Sequence, residues 1–240
     1  AAWEREVDRH PDRLRRVRTT ADLVEAKASG RLGLIYGFQD AVPFEGRLER
    51  IDLFRGLGVR IVQLTYNDRN RLGDGCLETS DGGLSRLGRA AVARMDELGI
   101  LVDLSHCGPR TTLDGIEAAA GPVAITHTGC AALYPHPRNK DDETLRRLVA
   151  RGGVVGIYLM PFLNPSGPPT LDHVVRHLEH ALDVCGEDHV GVGSDQGIRP
   201  LDTGGDFTAR FQAVAARRQA MGIAAPREDT PPFVPELNHP

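Results

Sequence analysis

Short apolar runs alternate with amphipathic stretches over most of the chain. The runs are "LGLIYGF" (32–38), "VRIVQLTY" (59–66), "ILVDLSH" (100–106), "PVAITH" (122–127), "GVVGIYLM" (153–160) and "HVGVGSD" (189–195). They are rich in Val, Ile and Leu with little polar interruption, as expected of parallel strands covered on both faces. Between them the apolar spacing predicts helices over 47–57, 84–98, 110–119, 141–151 and 170–184, and several end in glycine, as in "LFRGLG" and "DELGI". A charged, helix-like opening fills 1–30. A further helix is predicted over 206–221, followed by a proline-rich loop and tail over 223–240.

Repeated strand–helix units give a parallel sheet, either doubly wound or closed as a barrel. In both architectures chemistry gathers at the carboxyl ends of the strands. Gln39, Tyr66, His106, His127 and Asp195 stand at such ends, with Arg138 on the loop after the fourth run.

Composition narrows the partners. The 240 residues suit a single α/β domain over 1–240, and a net charge of −4 lacks the clustered basic face that nucleic acid demands. Basic residues do gather in "DRLRRVR" (12–18), but Glu4, Glu6 and Asp8 lie just upstream, so a solvated helix face is expected. Cys76, Cys107, Cys130 and Cys185 are scattered with no C-x-x-C pair, which predicts reduced thiols and a cytoplasmic location. No apolar run reaches membrane-spanning length, and "AAWEREVDRH" is not a signal peptide.

A lone histidine at a strand end is usually a hydrogen-bonded core residue. Two on consecutive strands, whose backbones lie about 4.8 Å apart, face one cavity and could share a metal. Spacing alone leaves both readings open for His106 and His127. His173, His177 and His180 fall on one face of a predicted helix, but without the Glu of H-E-x-x-H they read as a solvated face. "GVGSDQG" lacks the lysine of a phosphate loop, and no G-x-S-x-G elbow is present.

The ordered set "GVRIVQLTYNDRN", "LSRLGRAAVARMDELGILVDLSHCGPRTTLDGI", "GPVAITHTGCAALYPHPRNKDDETLRRLVARGGVVGIYL" and "CGEDHVGVGSDQG" resembles the membrane dipeptidase (renal dipeptidase) family, peptidase family M19, from about residue 20 to 200. The resemblance implies a (β/α)8 TIM barrel with two zinc ions at the strand ends and hydrolysis of dipeptides. It implies that His106 and His127 ligate one zinc and that Arg138 grips the substrate carboxylate. Asp195 would hold the amino group and move a proton, with Gly193 and Gly197 leaving room for the ligand.

Three departures qualify what it implies. The family's bridging glutamate falls at Gln39, a neutral amide that compensates two dications poorly, so one or two zinc ions are both open. Its substrate-side histidine falls at Tyr66, whose phenol can donate to an oxyanion but cannot act as an imidazole would. Its first-site His-x-Asp motif is matched only by His10-Pro11-Asp12, which no apolar strand precedes and which reads as a decoy. Six of eight barrel units are therefore expected, with the first two strands missing, the chain a fragment, and apolar strand edges exposed. The function expected is zinc-dependent hydrolysis of a dipeptide or similar small amide. The alternatives are a catalytically impaired barrel binding a small carboxylate or amine ligand, and a hydrolase of another amide or lactone. The partner expected is the small substrate, with no nucleic acid or membrane; a homodimer is left open.

Overall fold

The computed structural model describes residues 2–197 and 199–238. It opens with α1 (Ala2–Arg9), β1 (Leu14–Arg16), α2 (Thr20–Ala28) and β2 (Leu32–Leu34), and β1 pairs with β2 in parallel. The expected helix face at 12–18 is thus partly a strand. Pro11, which has no N–H to donate, stands just beyond the end of α1. The arginines that suggested a helix surface pair with the flanking helices. Arg15 lies 2.8 Å from Asp22 and 2.6 Å from Glu25, and Arg16 pairs with Glu4.

The main sheet begins with β3 (Tyr36–Phe38). The run "LGLIYGF", read as one strand, therefore divides at Ile35 between two sheets. After α3 (Glu49–Gly56) come β4 (Val59–Gln63), α4 (Arg86–Leu98), β5 (Leu101–Asp103), α5 (Pro109–Ala118) and β6 (Ala124–Thr128). Then follow α6 (Asp142–Ala150), β7 (Val154–Ile157), α7 (Leu171–Cys185), β8 (Val190–Val192) and α8 (Phe207–Ala220). The six strands pair in sequence order, β3 to β8, and every pairing is parallel. This is a wall of the (β/α)-barrel type. Among the described residues hydrogen bonds do not close it: β3 and β8 are its outer strands, and Val192 on β8 is 63 % exposed.

The helices start and stop where local chemistry directs. Ser85 caps α4 by accepting from the Gly88 amide at 2.9 Å, and Gly99 ends it in the left-handed region. Asp141 caps α6 through the Thr144 amide at 2.7 Å. The apolar faces of these helices close over the sheet: Val92 and Met95 of α4 and Leu145 and Leu148 of α6 are fully buried, as are Val62 and Ile125 from the strands. Side chains of this size contribute roughly 1.5–3 kcal/mol each when buried.

Beneath β6 the packing is closest. A Cβ on Gly193 would lie 1.7 Å from the carbonyl oxygen of Thr126, and one on Gly156 2.1 Å from the same atom. Gly193 is therefore set by the approach of the β6 backbone, where space for a ligand had been expected. Nothing but Arg199 O, at 3.9 Å, approaches a Cβ built on Gly197.

The expected solvated face of α7 is also corrected. His177 is 2 % exposed; its Nδ1 accepts from the Cys130 amide at 2.9 Å, so its Nε2–H donates to Leu163 O at 3.1 Å. His180 contacts Asp142 at 2.8 Å, and His173 joins the N-terminal cap of α7 through Thr170. Spacing on one helix face brings the three to three different partners. All four cysteines are free and buried. Among the described residues no helix is long and apolar enough to cross a membrane.

Candidate active site and metal centre

His106 follows β5 and His127 lies within β6, and both are nearly buried. Their ring centroids are 5.0 Å apart. Asn67, on the loop after β4, sets the tautomer of the first. Its amide nitrogen donates to Ile223 O at 3.0 Å and to Glu228 Oε1 at 3.3 Å, which leaves its oxygen to accept from His106 Nδ1 at 2.7 Å. The second tautomer is set by a hydroxyl. Thr126 Oγ1 spends its proton on Asp103 Oδ2 at 2.7 Å, so at 2.9 Å it accepts from His127 Nδ1. Asp103 also accepts from the Ser105 hydroxyl at 2.5 Å, and that oxygen accepts the His127 amide at 3.1 Å.

Both imidazoles therefore present an unprotonated Nε2. Burial, then the nearby Arg138 charge, pushes both below the usual histidine range; for His127 the carboxylates of Asp195 and Asp103 oppose that push. The two Nε2 atoms converge on the amide of Gln39, immediately after β3, whose Nε2 lies 3.4 Å from one and 3.5 Å from the other.

Two fixed lone pairs meeting at one point suit a divalent ion that takes imidazole nitrogen. The third protein group there is a neutral amide. Among the described residues no cluster of three or more His, Cys, Asp or Glu side chains is placed to hold a metal. The residues present thus fit one ion on two imidazoles and lack the carboxylate that would offset a second positive ion. His10 sits at the exposed end of α1, 3.3 Å from Glu6.

A cavity of about 270 Å³ opens beside His106, lined also by Tyr66, Arg138, Asp195, Arg218 and Glu228. Its apolar lining includes Phe162 and, from α8, Phe211 and Val214. Tyr66 stacks on His106 with centroids 4.2 Å apart, and burial raises its phenol above the ordinary tyrosine range. The phenol oxygen accepts from Arg218 at 3.4 Å, which leaves its own proton free to donate. Arg138 is 1 % exposed; its guanidinium donates to Ser105 O and, at 3.5 Å, to His127 O, which fixes the plane of the fork. Asp195 follows β8 with φ +57°, a left-handed conformation that aspartate tolerates better than most residues.

Four of the six residues marked by the sequence line this one cavity, and Gln39 and His127 adjoin it through His106. Sequence reasoning missed Asn67, Asp103 and Thr126, which orient the imidazoles, although each lies within three residues of a quoted strand-end residue. It also missed Lys140, buried with no carboxylate partner among the described residues: Nζ donates to Cys107 O at 2.6 Å and Thr112 Oγ1 at 3.0 Å, and burial pushes the amine down to about 8. Arg218 and Glu228 were missed because "ARRQAMGIAAPRED" reads as an ordinary charged helix and loop.

Comparison with known proteins shows the family. Residues 2–213 match the family described as "Membrane dipeptidase (Peptidase family M19)". Dipeptidase verJ of Clonostachys rogersoniana is 32 % identical over 221 residues, covering 91 % of this chain and 57 % of that protein. An amidohydrolase from Pseudomonas aeruginosa superposes with a TM-score of 0.77 at 40 % identity, over 86 % of this chain and 62 % of that one. A metallo peptidase from Rhodobacter sphaeroides, solved with a phosphinate mimic of the dipeptide L-Ala-D-Ala, gives 0.76 at 27 % identity, over 99 % of this chain and 69 % of that one. The chain spans little more than half the length of curated relatives such as verJ. With the matched region running through nearly all of the described strands and helices, this protein belongs to the membrane dipeptidase family, peptidase family M19.

Proposed function

We propose that this chain carries the substrate cavity and one metal position of a metal-dependent dipeptidase acting on dipeptides or similar small amides. The observation that carries the reading is a cavity lined by His106, a buried arginine and an aspartate, with His127 packed against His106 so that the two fixed lone pairs converge beside it. His106 and His127 would hold zinc, with Gln39 beside them. The ion, when bound, supplies Lewis acidity to the scissile carbonyl.

The remaining roles belong to the chain's own side chains. A dipeptide at neutral pH carries one carboxylate and one ammonium group, and Arg138 and Asp195 offer the complementary charges within the cavity. Arg138 takes the carboxylate through the planar edge of its guanidinium. Asp195 takes the ammonium group and receives or returns a proton as the leaving amine forms. Tyr66 donates its free proton to the oxygen that becomes negative, which requires the phenol to stay protonated, as its burial favours.

The neutral Gln39 favours a second reading, in which the cavity binds a small zwitterion and does not turn it over. One experiment separates the two. The purified protein is titrated with zinc, and amine release from alanyl-alanine is followed with and without chelator. Chelator-sensitive release supports hydrolysis. Bound zinc and bound dipeptide with no amine release would overturn it in favour of the binder.

A further inference from the structure

The cavity holds two guanidinium groups, and a carboxylate and an amine at the two ends of a dipeptide use only Arg138 and Asp195. Arg218 is the remaining cation. It comes from α8 and its partner Glu228 from the following loop, so neither belongs to the strand ends. The way it is held decides which charge faces the ligand. Arg218 Nε donates to Glu228 Oε2 at 2.7 Å, and Nη2 donates to Tyr66 Oη and Ile223 O, both at 3.4 Å. Its guanidinium carbon lies 5.7 Å from the centre of the Tyr66 ring. Nη1 has no partner among the described residues. Glu228 is the more enclosed of the two, at 14 % against 28 % side-chain exposure. Both its oxygens are engaged, one by Arg218 and the other by Asn67. Glu228 lines the cavity as well, but with both its oxygens engaged the unused hydrogen-bonding capacity of the pair is the donor edge at Arg218 Nη1.

We propose that Arg218 is a specificity-determining residue that selects dipeptides bearing an acidic side chain, the side-chain carboxylate pairing with the free Nη1 edge. The inference rests on the dipeptide reading of the cavity. A fixed guanidinium loses little further freedom on binding and presents directed donors to a carboxylate. An amide of the same shape as that carboxylate gains only a neutral hydrogen bond, roughly half as strong. Because the cavity is at the small end of ligand sites, one ligand reaches Arg138 and Arg218 together.

The test uses the zinc-loaded protein and two uncleavable ligands, the ketomethylene analogues of glycyl-aspartate and glycyl-asparagine, which differ only in side-chain charge. Calorimetry should give at least tenfold tighter binding of the aspartate analogue, and the ratio should fall to within about twofold in Arg218→Gln. Arg218→Lys should keep part of the preference, which a purely structural role for the arginine would not produce. Equal binding of the two analogues, binding of neither, or a preference that survives Arg218→Gln would each overturn the proposal. Hydrolysis of alanyl-alanine is scored separately: a preserved charge preference without amine release would sink the hydrolytic reading and leave this one standing.

Discussion

Asn67 and His106 lie 39 positions apart in sequence, and their side chains meet at 2.7 Å, amide oxygen to Nδ1. That bond assigns the proton of the imidazole and frees Nε2 to face Gln39. Partners of this kind typically govern metal affinity by 10–100-fold. Asn67→Leu should therefore weaken zinc binding by at least tenfold, while Asn67→Asp, which keeps the acceptor, should lose much less. Equal affinity in all three proteins, measured by competition with a zinc chelator, would remove Asn67 from the centre.

Gln39→Glu should raise zinc affinity or stoichiometry. The amide already sits 3.4 and 3.5 Å from the two ring nitrogens. A carboxylate there adds a negative charge in a partly desolvated place, where charge attraction is stronger than in water. Zinc titration of both proteins in one buffer reads the effect, and unchanged binding would mean that the end of β3 does not face the ion.

Arg138→Lys should raise KM for a dipeptide by roughly tenfold or more, since a charged hydrogen bond contributes about 1.5–3 kcal/mol. Lysine keeps the charge but offers no planar fork. Lysine also gives up part of the paired backbone contacts to Ser105 and His127, so a fall in melting temperature should accompany the rise in KM. Kinetics and a melting curve on the same preparation separate the two, and an unaltered KM would exclude Arg138 from substrate binding.

Acid should destabilise the fold through His177. Burial pushes its imidazole down to about 4, against about 6.5 in an unfolded chain. The unfolded state then binds more protons between those values. The contribution is complete above pH 6.5 and is lost as pH falls toward 4, by about 2–3 kcal/mol. His177→Asn keeps an acceptor for the Cys130 amide but does not titrate. Urea unfolding at pH 7 and at pH 4.5 should show a smaller acid loss in that variant; identical losses would mean that His177 stays uncharged in neither state or in both.

Much of this architecture was legible because parallel strands covered on both faces leave continuous Val, Ile and Leu runs, and five of the six runs each mark one strand of the main sheet. The first run failed for a geometric reason: no polar residue marks the point near Ile35 where the chain passes from one sheet to the other. β1 was hidden by its arginines, whose partners lie on neighbouring helices and so left no pattern along the chain. In the site, "DLSH" and "THT" were legible because a strand carries its end residues to a known place. Arg218 and Glu228 reach the cavity only through the packing of α8 and the loop tied down by Asn67, which no local spacing encodes. Likewise His177 shares the helical spacing of its neighbours, and only the approach of the Cys130 loop buries it.

The strictly sequential pairing of β3 through β8 bears on how the site comes into being at the ribosome. No strand has to insert between two that are already paired, so the wall can grow in the order in which the nascent chain emerges. The imidazole pair is complete in sequence once His127 has been added, and Arg138 follows eleven residues later. Asp195, Arg218 and Glu228 are translated last. The half of the centre that faces the ion is thus made before the half that reads the ligand, and Asn67, already in place, receives Glu228 when the loop closes.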